Sequence, residues 1–152
     1  MDIREPHIER ILVAFDGSSD SLRALNIGCS LAEKYGASLI IAHVYTVPIP
    51  VYASGSTMPL PEMGEAADLA KQDGLVVLSE GLEVAETWHV KAKGELLEAR
   101  STLSALVEYS TNEKVDLIVV GNRGMSGFKR LIMGSVSSGL VHDAECPVLV
   151  VR

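Results

Sequence analysis

The chain has 152 residues, a formal net charge of −7, 47% hydrophobic residues and 5% aromatic residues. This length fits a single domain over residues 1–152, and the aliphatic composition is typical of a folded α/β interior. The acidic balance argues against nucleic acid as a partner, because duplex binding depends on Lys and Arg side chains that neutralise phosphates.

The cysteine pattern and the chain's N-terminal residues predict a cytoplasmic protein that contacts no membrane. Cys29 and Cys146 stand far apart and belong to no CxxC or Cys/His cluster, so we expect free thiols in a reducing compartment. The first residues lack the apolar core of a signal peptide. No apolar run approaches the roughly 20 residues that are needed to span a bilayer.

The first third of the chain predicts two strands with a helix between them. Residues 11–15 and 38–44 are continuous apolar runs, which is typical of strands that are covered on both faces. Either Ser18 or Ser19 could cap the intervening helix, and Gly36 could end it. Helical spacing predicts a buried face made of Leu22, Leu25, Cys29 and Ala32.

The middle of the chain allows two interpretations. The proline-rich residues 46–64 predict a long loop, and residues 65–85 predict a helix weakened by two glycines. Residues 87–93 alternate apolar and polar side chains and could form the third strand, ended by Gly94. Alternatively, the helix continues to Lys93, Gly94 ends it, and the third strand spans residues 95–99.

The last third predicts a capped helix and two strands separated by a glycine-rich loop. Ser101 or Thr102 could cap a helix whose inner face carries Leu103, Leu106 and Val107. Residues 115–120 and 148–151 are apolar runs that predict the fourth and fifth strands. Between them, the loop starting at Gly121 runs into a helix over residues 136–144. The predicted apolar face of this helix consists of Val136, Leu140 and Val141.

Strands that alternate with helices predict one doubly wound, five-stranded parallel sheet of order 3-2-1-4-5, Rossmann-like or flavodoxin-like, with helices on both faces. Ligands of such sheets bind beyond the carboxyl ends of the strands, where the strand order reverses. Two polar loops satisfy this condition: one begins at Asp16, and the other covers residues 121–135. A glycine-rich loop that opens a helix can turn backbone N–H groups toward a phosphate.

The glycine spacing is specific. It reads Gly121-x2-Gly124-x9-Gly134-Ser135, which is neither a Walker A loop nor the dinucleotide pattern GxGxxG. It matches the G-2x-G-9x-G(S/T) signature of the ATP-binding branch of the universal stress protein family, which the chain resembles over nearly its whole length. The resemblance extends to the strand before Asp16, to the ending of strand two and to residues 146–152.

The resemblance also bears on the ambiguous middle. A third strand that ended at Lys93 would leave a longer connection than relatives usually show. It therefore favours the long helix and a strand over residues 95–99.

The resemblance implies an adenine nucleotide site. The positions that match the family's site are Ala14, Asp16, Val44, Val120, Gly121, Gly124, Gly134, Ser135, Val136 and Ser137. The first five would line the base and ribose, and the last five would wrap the phosphates. Ser135 and Ser137 stand at a helix start, where hydroxyls and backbone N–H groups could donate to an anion. Asp16 could alternatively cap the first helix, and Val44 could be an ordinary core residue.

The implied ligand is ATP, or AMP or ADP, with any Mg²⁺ carried by the phosphates and water rather than by protein side chains. His43 and His142 belong to no cluster with metal-ligand spacing, so we expect no metal-binding residues. Arg123, Lys129 and Arg130 could meet phosphates, although exposed loop cations are more commonly solvated.

The sequence offers no catalytic constellation. It contains no Ser/His/Asp pattern on a nucleophile elbow, and no acid or base is clearly placed for phosphoryl transfer. We therefore predict a nucleotide-dependent switch or regulator in stress response with at most slow ATP hydrolysis. The alternative is a nucleotide-independent dimeric interaction module of the same fold. The apolar edge strand at residues 148–151 and the family resemblance together predict a homodimer.

Overall fold

The computed structural model describes residues 7–47, 60–125 and 133–152. In these ranges five strands alternate with four helices. None of these helices, as far as they are described, combines the length and hydropathy needed to cross a membrane. The elements are β1 (Arg10–Ala14), α1 (Ser19–Tyr35), β2 (Ser38–Tyr45), α2 (Leu60–Thr87), β3 (Ala92–Glu98), α3 (Thr102–Asn112), β4 (Leu117–Gly121), α4 (Ser135–Asp143) and β5 (Val148–Val151).

The strands form one sheet of order β3-β2-β1-β4-β5, and every neighbouring pair is parallel. This confirms the predicted doubly wound topology. The central strand β1 has β2 on one side and β4 on the other, so the strand order reverses between β1 and β4. The carboxyl ends of these two strands therefore flank the position at which doubly wound sheets bind ligands.

Both faces of the sheet are buried, which explains the continuous apolar runs. Ile11 and Val13 pack on the face that α1 and α2 cover, whereas Leu12 packs on the opposite face with Leu106 of α3 and Leu140 of α4. Successive residues of a strand point to opposite faces, so a strand between two helix layers needs an apolar residue at every position.

Serine side chains cap two of the helices. The Ser18 hydroxyl accepts from the Ser21 N–H at 3.2 Å, and the Ser101 hydroxyl accepts from the Ser104 N–H at 3.2 Å. Gly36 ends α1 in the left-handed region, at φ 65°. These observations confirm the predicted caps and resolve the choices between neighbouring residues in favour of Ser18 and Ser101.

Neither interpretation of the middle of the chain was right in full. α2 ends at Thr87 rather than Lys93, and β3 starts at Ala92, so Gly94 lies inside the strand rather than after an element. A Cβ on Gly94 would lie 3.0 Å from Leu82 Cδ1. The glycine therefore allows α2 to pack closely on β3. The family-favoured strand at residues 95–99 overlaps most of β3, but it starts three residues too late.

The predicted boundary between loop and α2 was also wrong. α2 begins at Leu60, within the predicted loop of residues 46–64, while residues 48–59 of that loop lie outside the described residues. The two glycines that weakened the helix prediction face the sheet. A Cβ on Gly74 would lie 2.9 Å from Leu96 Cδ1, and one on Gly81 would lie 3.0 Å from Phe15 Cδ1. Close packing on the sheet offsets their helix-propensity cost of about 1 kcal/mol each.

Two residues that were predicted to be buried are exposed. Leu22 in α1 is 41% exposed and Val141 in α4 is 55% exposed. Small polar residues take the inward positions of these helices instead: Ser21 in α1 and Ser137 in α4 are both buried. The Ser21 hydroxyl donates to the Ser18 carbonyl oxygen at 3.0 Å, and this bond satisfies a serine that hydrophobicity alone would place outside.

Both cysteines are free thiols, as predicted. Burial raises the pKa of Cys29 to about 11 and also raises the pKa of Cys146. Both side chains are therefore protonated at neutral pH, and neither has the lowered pKa of a reactive cysteine.

Candidate functional site

A cleft of about 510 Å³ opens at the carboxyl ends of β1, β2 and β4. Its volume falls within the range of small-molecule sites, about 300–1,000 Å³. All ten residues that the sequence singled out line it, so the structure brings the predicted set together in one place. These residues are Ala14, Asp16, Val44, Val120, Gly121, Gly124, Gly134, Ser135, Val136 and Ser137.

The sequence missed part of the lining. Thr102 and Leu106 reach the cleft from α3, a helix that precedes β4 in the chain and carries none of the glycine pattern. Leu106 was predicted on the inner face of α3, but only the folded sheet shows that this face borders the cleft. The remaining lining residues are Phe15, Ser21, Ala42, His43, Thr46, Asn122, Arg123 and Met125.

One part of the cleft is apolar and continues the hydrophobic core. Ala42, Leu106 and Val120 are buried members of the core on the α3–α4 face, and Ala14 and Val44 pack against it. Val44 is thus both a core residue and a lining residue, so its two interpretations do not exclude each other. A cavity wall of this kind favours an apolar group.

Asp16 joins the two polar loops at the cleft. Its Oδ1 accepts from the Ser18 N–H at 3.0 Å, and its Oδ2 accepts from the Met125 N–H at 3.0 Å. The side-chain cap of α1 is Ser18, so the alternative interpretation of Asp16 as that cap was wrong. Asp16 instead links the end of β1 to the loop that follows β4.

The charge of Asp16 is set by these bonds. Burial is the largest single influence on its pKa and favours the neutral form, but hydrogen bonds from Ser18, Ser21 and Met125 together outweigh it. The pKa of Asp16 is therefore lowered below its ordinary value of 3.8, and the carboxyl is ionised at neutral pH.

The start of the glycine-rich loop, residues 122–125, lies against the first turn of α1. We call these four residues the anchor segment. The Arg123 N–H donates to Asp20 Oδ2 at 3.1 Å, and the Ser18 hydroxyl lies 3.5 Å from the Arg123 carbonyl oxygen. The neighbouring cations Lys129 and Arg130 lie outside the described residues.

The far end of the loop returns to the anchor segment. The Asn122 carbonyl oxygen accepts from the Gly134 N–H at 2.8 Å and from the Ser137 hydroxyl at 2.9 Å. The Ser137 hydroxyl thus donates within the protein here, and its role as a donor to an anion stays a prediction. Ser135 remains exposed at the helix start.

The first turn of α4 faces the cleft without a capping side chain. Its N-cap residue is Gly134, and no side-chain hydrogen bond between described residues caps the helix. The first N–H groups of any helix lack partners within the helix. Together with the helix dipole, they make this end of the cleft suitable for an anion.

The described residues offer no group of three or more His, Cys, Asp or Glu side chains that could hold a metal ion. The side chains at the cleft that could act on a ligand include the ionised Asp16, the half-buried His43, the exposed Arg123 and the hydroxyls of Thr46, Thr102 and Ser135. This set can bind and orient a ligand by hydrogen bonds and charge.

The model of the universal stress protein family matches residues 7–152 of the chain. The chain belongs to the universal stress protein family. It is 32% identical over 147 residues to a universal stress protein of Methanocaldococcus jannaschii, with 95% of this chain and 82% of that protein covered.

Solved structures of universal stress proteins share the fold. UspA from Lactobacillus plantarum superposes with a TM-score of 0.82 at 23% identity, with 97% of this chain and all of that chain covered. A universal stress protein solved in complex with cAMP superposes with a TM-score of 0.73 at 28% identity, with 96% of this chain and 98% of that chain covered.

In this universal stress protein, the three glycines of the pattern stand where a Cβ would come close to other atoms of the protein. A Cβ on Gly121 would lie 2.6 Å from the Asp20 carbonyl carbon, and one on Gly124 would lie 2.6 Å from Asp16 Oδ2. A Cβ on Gly134 would lie 3.0 Å from the Asn122 carbonyl oxygen. The spacing therefore shapes the loop before any ligand enters.

Proposed function

We propose that this universal stress protein binds an adenine nucleotide, with ATP as its ligand, and acts as a nucleotide-dependent switch. One observation carries the proposal: a single cleft at the switch point joins an apolar wall to an uncapped helix N-terminus. A nucleotide has the matching division into an apolar base and an anionic phosphate chain. The related structure in complex with cAMP supports the choice of an adenine nucleotide.

The residues at each end fit the corresponding part of the ligand. The base would lie against the apolar wall of Ala14, Val44, Leu106 and Val120. The phosphates would accept from the first N–H groups of α4 and from the Ser135 hydroxyl. Hydrogen bonds to a charged group contribute about 1.5–3 kcal/mol each. Any Mg²⁺ would be held by the phosphates and water.

Binding rather than turnover is the task that the side chains support. Among the described residues that line the cleft, Asp16 is the only one with a carboxylate, and its lowered pKa makes it a poor general base near neutral pH. Both of its oxygens already accept backbone N–H groups. We therefore expect slow ATP hydrolysis at most.

We also propose that the protein forms a homodimer through β5, with or without nucleotide. β5 is the last strand of the sheet, and Leu149 on it is 38% exposed. The Asn122 N–H donates to the Val151 carbonyl oxygen at 2.6 Å, so the anchor segment is bonded directly to this edge strand. Through that bond, a shift of the anchor segment on nucleotide binding would reach the strand that forms the proposed dimer contact. A monomer mass in light scattering at micromolar concentration would contradict the dimer.

The proposal is tested by asking what the purified protein carries. We expect an adenine nucleotide to be released when the protein is denatured and chromatographed, and we expect stripped protein to give a heat signal with ATP in calorimetry. GTP serves as the control ligand for the base. Repeated absence of adenine nucleotide together with no ATP heat would leave the nucleotide-independent dimeric module as the function of this fold.

A further inference from the structure

Asp20 holds the start of the glycine-rich loop although it belongs to neither the glycine pattern nor the cleft lining. Its Oδ2 accepts from the Arg123 N–H at 3.1 Å, and its other oxygen, Oδ1, pairs with the Arg23 guanidinium. The Asp20 side chain is only 16% exposed, so it is fixed between α1 and the loop.

We propose that Asp20 is a positioning residue for phosphate binding: it fixes the anchor segment and, through it, the N-terminus of α4. This inference rests on the proposed nucleotide site. The link is a chain of hydrogen bonds: Asp20 holds Arg123, and the carbonyl oxygen of the adjacent Asn122 accepts from Gly134 and Ser137 at the start of α4. A shift of the anchor segment would therefore move the N–H groups that face the phosphates.

Two side chains of the described residues contact the Arg123 main chain, and Asp20 makes the stronger contact. The bond from the backbone N–H to the carboxylate is charge-assisted and of ordinary length. The Ser18 hydroxyl lies at the 3.5 Å limit from the Arg123 carbonyl oxygen, which is a weak contact. Asp16 holds the opposite end of the anchor segment through Met125. Asp20 therefore holds Arg123, next to Asn122, whose own N–H donates to the Val151 carbonyl oxygen at 2.6 Å.

In the proposed role, Asp20 contributes an acceptor oxygen for the Arg123 N–H, and its negative charge is not required. A carboxylate beside a phosphate-binding loop repels the ligand, and the exposed Arg23 offsets this only in part. An asparagine at position 20 would keep an acceptor oxygen for Arg123 and remove the repulsion. Alanine would remove both. Asp20→Asn is therefore the matched control for Asp20→Ala.

The test compares ATP with adenosine by calorimetry. We expect Asp20→Ala to weaken ATP binding about tenfold and to change adenosine binding less than about twofold, because Asp20 does not touch the apolar wall. Asp20→Asn should bind ATP as the wild type does, or more tightly. Glu33→Ala, an exposed charge loss further along α1, should change neither affinity. A general folding defect would instead weaken the binding of ATP and of adenosine alike.

A second variant keeps the test decisive if Asp20→Ala does not fold. Asp20→Glu retains the charge and the helix propensity but moves the acceptor, so it should weaken ATP binding severalfold and spare adenosine. The positioning role is refuted if Asp20→Ala and Asp20→Glu bind ATP like the wild type or lose affinity for both ligands equally. It is also refuted if Asp20→Asn does not retain ATP binding. Wild-type protein that binds neither ATP nor adenosine would instead overturn the proposed function, and the positioning role with it.

Discussion

The helices α1 and α4 both begin beside the cleft, but their N-termini are used in opposite ways. At α1 the Ser18 hydroxyl accepts a backbone N–H, and Asp20 adds a negative charge to the first turn. At α4 the N-cap residue is Gly134, which has no side chain to offer. The chain thus satisfies one helix end with its own oxygens and uses it to hold the loop. The other end has no side-chain cap and lines the cleft.

The N-cap residue of α4 is a glycine, at a position where serine, threonine, aspartate and asparagine are the usual residues. At an N-cap, glycine in place of serine, threonine, aspartate or asparagine costs only about a few tenths of a kcal/mol. Gly134 has no side chain with which to cap the helix. A Cβ at this position would lie 3.0 Å from the Asn122 carbonyl oxygen and would be crowded. The stability lost at α4 leaves N–H groups that a phosphate could use.

The largest effect is expected at the contact that holds α1 beside β4. Gly121→Ala would place a Cβ 2.6 Å from the Asp20 carbonyl carbon and 2.8 Å from the Ser21 nitrogen, both backbone atoms. We expect a loss of about 2–3 kcal/mol in the free energy of unfolding, measured by chemical denaturation. Gly64→Ala is the control, because there a Cβ meets no described atom within 4 Å and alanine favours the helix. Equal stabilities of the two variants would refute the close approach.

The next effect separates the two helix ends directly. Ser135→Asp introduces a carboxylate at the first residue of α4, and Ser19→Asp does the same at the first residue of α1. Both should leave folding stability unchanged or raise it by about 0.3–1 kcal/mol through the helix dipole. We expect only Ser135→Asp to weaken ATP binding, by about tenfold or more, because it repels the phosphates. Similar ATP affinities of the two variants in calorimetry would contradict the assignment of α4 as the phosphate end.

A smaller effect concerns stability alone. Ser18→Ala removes the hydroxyl that accepts from the Ser21 N–H, so we expect a loss of about 1 kcal/mol in the free energy of unfolding. Ser135→Ala removes an exposed hydroxyl from a helix that has no side-chain cap, and it should change stability by less than about 0.5 kcal/mol. Urea titrations of both variants would show whether the caps differ as described.

The sequence was sufficient for those features that depend on local patterns. Continuous apolar runs predicted the parallel sheet, and polar strand ends predicted that two loops meet at one edge of it. The ten residues that line the cleft were singled out by the family resemblance rather than by a local pattern. Gly94 was misinterpreted because a glycine that permits packing against Leu82 has the same sequence appearance as one that ends a helix. Thr102 and Leu106 were missed because only the fold brings α3 to the cleft.

The smallest effect tests the charge of Asp16, the residue that joins the α1 end to the loop. Because its pKa is lowered in the folded protein, Asp16 contributes stability that is complete above its ordinary value of 3.8 and is lost as pH falls through the lower folded value. The carboxyl is only partly buried, so after allowance for solvent screening we expect less than about 1 kcal/mol. Asp16→Asn keeps one acceptor oxygen for Ser18 or Met125 and cannot titrate. Its unfolding midpoint in urea, followed from pH 5 to 3, should therefore fall less steeply than that of the wild type. If the unfolding midpoints of the two proteins fell equally steeply with pH, the bonds to Asp16 would not favour its ionised form.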